Sequence, residues 1–126
     1  MEVTPDPTNP KDLLAQHKVP LDLFPAAGLI HGARAMKHGA DKYGPFNWRD
    51  QKVQSMIYLG ASIRHIYAFI DGEDCAVDSG INHLGHAVAG LAILLDAFET
   101  DNVIDNRPVS GLSLIHISEP TRQAEI

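Results

Sequence analysis

Apolar residues recur at intervals of three and four along the middle of the chain, the spacing of helices that each bury one face. From about Gln51 to Asp71 the stripe is Met56, Leu59, Ile63, Ile66 and Ile70, with Gly72 as a stop, and a helix is predicted there. A second helix is predicted from about Gly80 to Thr100 on Leu84, Val88, Leu91, Leu95 and Phe98, with Asp78 or Ser79 placed to cap its first amides. Gly85 and Gly90 inside it cost helix propensity and point to close packing or room for a ligand. Ahead of both, Pro25 to Gly39 reads as a helix: Pro25 suits a first helical position, Leu29, Ala33 and Met36 form a stripe, and Gly39 terminates it.

The remaining segments lack this period. Residues 1–19 carry Pro5, Pro7 and Pro10 among polar residues, which removes backbone donors and predicts an extended arm. Ala40 to Asp50 holds Gly44, Pro45 and Asn47 and is predicted to be a loop carrying Tyr43, Phe46 and Trp48. Strand-like alternation is absent, so the expected fold is all-α, a small antiparallel helical bundle of about three main helices spanning residues 20–106. A single chain of 126 residues buries only a modest share of its surface, so completion by a homodimer or homotetramer is expected. Residues 107–126, with the run from Leu112 to Ile126, look like a translated adapter and are set aside as a non-native tail.

Composition narrows the class. An apolar fraction of 44% and a charged fraction of 21% are those of a globular domain, not a disordered one. No apolar run nears the roughly 20 residues that span a bilayer, and no secretory signal opens the chain, so a cytoplasmic protein is expected. The net charge of −6 opposes binding to a nucleic-acid polymer or an anionic membrane. The single cysteine, Cys75, excludes an internal disulfide and a cysteine zinc cage, and is expected to be an inert thiol, buried or partly exposed.

Charge is also segregated. Arg34, Lys37, Lys42, Arg49, Lys52 and Arg64 precede a stretch, His65 to Asn106, that has acids but no lysine or arginine. Cations beside carboxylates suit a metal-bound polyphosphate, and they equally suit helices that pack through opposite charge. The densest polar cluster holds Arg64, His65, Glu73, Asp74, Asp78, His83 and His86. Residues three apart share a helix face, so His83 and His86 can enter one site, and His65 can meet them from the end of the preceding helix. Imidazoles with carboxylates suit a transition metal, and the same spacing also suits packed, hydrogen-bonded core histidines. Lys42, Asn47, Trp48 and Arg49 offer a cation, an amide, an aromatic plate and a guanidinium, able to stack a base and clamp a phosphate or simply to anchor the loop. Phosphate-cradling glycine loops, dinucleotide fingerprints, zincin motifs and nucleophile elbows are all absent.

Read in order, Pro-Leu-Asp-Leu-Phe-Pro at 20–25, Gly-Ala-Asp-Lys-Tyr-Gly at 39–44, Asn-Trp-Arg at 47–49, Arg-His at 64–65, Gly-Glu-Asp at 72–74 and Asp-Ser-Gly-x-x-His-Leu-x-His-Ala at 78–87 resemble the MazZ-like dATP/dGTP diphosphohydrolase domain over about residues 20–98. The resemblance implies a helical relative of the MazG-type pyrophosphohydrolases, of phage origin and acting in an infected bacterial host. Such enzymes cleave between the α and β phosphates of a purine deoxynucleotide with a divalent metal, Mg, Mn or Co. The wider superfamily holds metal with Glu-x-x-Glu and Glu-x-x-Asp pairs, and this chain has neither; Ser62 and His65 stand near the first pair, His83 and His86 near the second. The expected metal set is therefore His65, Glu73, Asp74, Asp78, His83 and His86. Glu73 or Asp78 would be the general base. Lys42, Asn47, Trp48, Arg49 and Arg64 would hold the substrate.

Overall fold

The computed structural model describes residues 4–109, and the expected tail falls, beyond residue 109, outside the described residues. Three helices dominate: α2 (Ala26–Tyr43), α4 (Ser55–Ile70) and α5 (His83–Glu99). Short helices α1 (Pro10–Ala15) and α3 (Asn47–Asp50), one 3-10 turn (Leu21–Leu23) and strands β1 (Val53–Gln54) and β2 (Val103–Ile104) complete the described chain. The helical expectation holds for the body of the fold, with the two paired strands as an addition.

Several boundaries differ from the periodic reading. Part of the extended arm is helical, because Pro10 sits at the start of α1, where a missing N–H costs nothing, and Asn9 accepts from Lys11 N. Gly39 does not end α2; the helix continues to Tyr43, and Gly44, at φ 90°, takes the terminating role with its N–H on Ala40 O. Pro25 is the N-cap of α2, one position earlier than expected. The predicted loop from Ala40 is thus helical at both ends. The start of α4 is delayed because Val53 and Gln54 pair in parallel with Val103 and Ile104. Helix α5 is capped by Asn82, whose side chain accepts from Leu84 N, and not by Asp78 or Ser79.

α5 packs against both α2 and α4. Small residues permit the approach: a Cβ on Gly85 would lie 2.7 Å from the His31 carbonyl oxygen of α2, and one on Gly90 would lie 2.7 Å from Ser62 Oγ of α4. The buried positions of α5 are His83, Gly85, Ala87, Ala89, Leu94 and Ala97. Most of the predicted stripe is on another face: Leu84, Leu91, Leu95 and Phe98 are exposed, as are Met56, Ile63, Ile66 and Ile70 of α4, whereas Val88 and Leu59 are half-buried and pack inward. The apolar core proper gathers Val53, Leu94 and Ala97, with Trp48, Tyr58, Leu59, Ile93 and Val103 against it. Cys75 is exposed. No helix among the described residues is long and apolar enough to cross a membrane.

Candidate active site

The loop between α4 and α5 doubles back and brings its acid over the first turn of α5. Gly72 and Gly80, at φ 99° and 72°, turn the chain, and Ala76 N donates to Ile81 O while Gly80 N donates to Ala76 O. His83 N then donates to Asp74 O, which sets Glu73 beside the His83 ring.

Three histidines converge there. His65 Nδ1 and His83 Nδ1 are 2.8 Å apart, and His83 Nε2 is 2.6 Å from Glu73 Oε1. His86 stacks on His65 with ring centroids 4.5 Å apart and planes within 12°. Its Nε2 lies 2.7 Å from Ser79 Oγ, which also accepts from Ile81 N. His83 is buried; its two neighbours are half-buried.

Hydrogen-bond chemistry assigns the protons. A carboxylate accepts, so His83 donates from Nε2 to Glu73, and of the two facing Nδ1 atoms of His65 and His83 one donates to the other. With His65 as the donor at Nδ1, its lone pair lies on Nε2. Burial, the neighbouring His83 and Arg64 push His65 below the ordinary histidine range, against the pull of Asp78. Burial, then His65, His38 and His83, do the same to His86, again opposed by Asp78. Adjacent imidazoles out of full contact with water therefore favour the neutral, lone-pair form.

The other expected residues are placed differently. Asp74 contributes its backbone carbonyl, and Asp78 acts on the cluster through its charge while its side chain stays exposed. Arg64 is exposed on α4 beside His65. Ser62 is buried in the α4–α5 contact beneath Gly90. Lys42 Nζ stands 5.3 Å from the Tyr43 ring. Trp48 Nε1 donates to Asp96 Oδ2 at 2.8 Å, and Arg49 donates to both oxygens of Asp96 at 2.6 and 2.8 Å. The Asn47 side chain makes no hydrogen bond among the described residues; with Trp48 and His86 it lines a pocket between α2 and α5.

Two participants escaped the sequence reading. His38 of α2 stands edge-on to His86, ring centroids 6.1 Å apart. Its seven-residue spacing from His31, two turns on one helix face, was a usable signal. Asp96 had none, lying 47 residues beyond its Arg49 partner.

The donors do not form a ready cage for a divalent cation. His65, His83 and Glu73 bond to one another, and among the described residues no group of three or more His, Cys, Asp or Glu side chains is arranged to hold a metal.

Comparison with known proteins follows the same residues. A family model described as dATP/dGTP diphosphohydrolase, N-terminal, matches residues 8–107. A dATP/dGTP diphosphohydrolase of Salmonella phage PMBT28 is 30% identical over 95 residues, covering 75% of this chain and 30% of that protein. The chain thus spans about a third of the length of that relative. No solved structure matches.

Proposed function

The chain belongs to the family of dATP/dGTP diphosphohydrolase N-terminal domains, and on that premise we propose that it hydrolyses dGTP or dATP to the nucleoside monophosphate and pyrophosphate. The observation that carries this reading is the hydrogen-bonded row Glu73, His83, His65; with His65 donating at Nδ1, its Nε2 holds the lone pair. A neutral imidazole held in one tautomer is suited to take a proton from a water attacking phosphorus. Glu73 then positions His83 and stabilises the charge that develops along the row, a different task from the direct base expected of it. The water oxygen bonds to the α phosphorus, its proton passes to His65, and the α–β bridging oxygen leaves with pyrophosphate.

Arg64, next to His65, and Lys42 supply positive charge for the leaving pyrophosphate. Arg49 is committed to Asp96 and serves by holding Trp48. A divalent cation, Mg, Mn or Co, enters with the nucleotide as part of the substrate, near the exposed acids Asp74 and Asp78. Incubating the protein with dGTP and dATP and each of the three cations should release pyrophosphate; silence with every combination would retire the reading.

The mutual hydrogen bonding of Glu73, His83 and His65, which occupies these side chains with one another, favours one second reading. In it the domain is a nucleotide-binding module without chemistry of its own. Calorimetry separates the two, because binding of dGTP without turnover supports the module.

We also propose assembly as a homodimer or homotetramer. Ile63, Tyr67 and Ile70 of α4 fall on one helix face, and Leu84, Leu91 and Leu95 of α5 on another, all exposed in the single chain. Apolar faces of this kind are usually covered in solution. Sedimentation of a stable monomer at micromolar concentration would contradict the assembly.

A further inference from the structure

The pocket between α2 and α5 has a volume of about 150 Å³. One wall is α2 at Ala35, Gly39 and Ala40, the other is α5 at Ala89 and Gly90, and Trp48 and Asn47 of α3 close it. Small side chains on both helices give it depth without pushing the helices apart. Trp48 is held on two sides, by Asp96 on its indole N–H and by Asn102 on its backbone carbonyl, so the indole is a fixed plate. The half-buried Asn47 amide has no partner among the described residues. His86 lines the same pocket and stacks on His65, which joins the pocket to the histidine cluster.

We infer that this pocket seats the purine base of the substrate, with Trp48 against the ring and Asn47 reading its edge; the inference rests on the nucleotide reading above. A cavity of about 150 Å³ lined by apolar groups takes an aromatic ring. An amide offers one donor and one acceptor side by side. Rotated by half a turn, the Asn47 amide matches either the acceptor-and-donor edge of adenine or the donor-and-acceptor edge of guanine. Acceptance of both purines then follows from one side chain.

Gly39 supplies a clean test, because a Cβ built there meets nothing within 4 Å. Gly39→Leu should fill the pocket while leaving the melting temperature unchanged or raised, since leucine is the better helix former. Binding is measured by calorimetry on the full chain with an α,β-imido analogue of dGTP, the same analogue of dATP, and inorganic tripolyphosphate. Gly39→Leu is expected to weaken both nucleotides at least about tenfold and to leave tripolyphosphate binding as it was, the loss of one well-fitted apolar contact being of that order. Asn47→Ala is expected to weaken both purine analogues by a similar factor and to leave tripolyphosphate binding as it was. Wild-type affinity for the nucleotide analogues in Gly39→Leu, or in Asn47→Ala, overturns the pocket assignment alone. A wild-type protein that binds neither nucleotide nor tripolyphosphate overturns the nucleotide reading with it.

Discussion

The two ends of α5 use polar groups in opposite ways. At its start, His83 and His86 meet His65 and Glu73 in one cluster, and burial and mutual proximity push His65 and His86 toward the uncharged form. Near its end, Asp96 is fully engaged by opposite charge: the hydrogen bonds from Arg49, then from Trp48, hold its carboxyl below the usual range. Just past the helix, Arg107 holds Asp105 down to about 2. The first arrangement holds rings that favour a free lone pair, and the second commits both carboxylate oxygens of Asp96. A cluster that keeps a reactive atom free is a site, whereas one that satisfies every atom is a clamp.

The most damaging way to test the contrast is at the helix contact beneath the histidines. Gly85→Val would drive a side chain into the His31 carbonyl of α2, where the space is 2.7 Å. Urea unfolding should show a loss of about 3 kcal/mol, the upper end for overpacking. A loss near zero would mean that α2 and α5 separate easily and that the histidine end is not rigid.

Activity should then divide between the ends. His65→Ala is expected to lower kcat about a hundredfold or more, the range of a lost general base, while the protein stays folded. Asp96→Asn is expected to lower the melting temperature and raise KM through a loosened Trp48, with kcat nearly kept. Equal kcat losses from the two variants would erase the distinction between site and clamp.

Acid separates the same regions by pH window. Histidines depressed below 6.5 take up protons in the unfolded chain before the folded one does. Their contribution to stability is whole above pH 6.5 and is lost as pH falls through their folded values. The depressed carboxylates contribute above pH 3.8 and lose that contribution as pH falls through their folded values, about 2 for Asp105. Melting temperature should therefore decline in two steps, the His65 and His86 proton resonances moving in the first alone. One step, with histidines titrating at 6.5, would show that the cluster is not formed in solution.

The smallest effect on the fold of a single chain is expected at Leu95, which is 68% exposed. Leu95→Lys should leave urea unfolding of the monomer within about 0.5 kcal/mol of the parent, as for an ordinary surface change. It should nevertheless shift sedimentation toward smaller species. An unchanged sedimentation profile would place the subunit contact elsewhere.

What the linear order of residues decided on its own was local. Apolar intervals of three and four specified three long helices, and i, i+3 spacing put His83 and His86 on one side of α5, because helix geometry needs no knowledge of neighbours. His65 at the end of α4 was within reach for the same reason. Tertiary contact decided which side of each helix faces inward. α4 and α5 are apolar on more than one face, and the Gly and Ala face won the interior because only small residues let backbones approach this closely; the larger stripe went to the surface. Contact across the fold also joined Glu73 to His83 and Asp96 to Arg49 and Trp48, and it paired Val53 with Val103. Those partners are separated by 10 to 50 residues, and no interval along the chain carries that choice, since it depends on where two backbones come to rest.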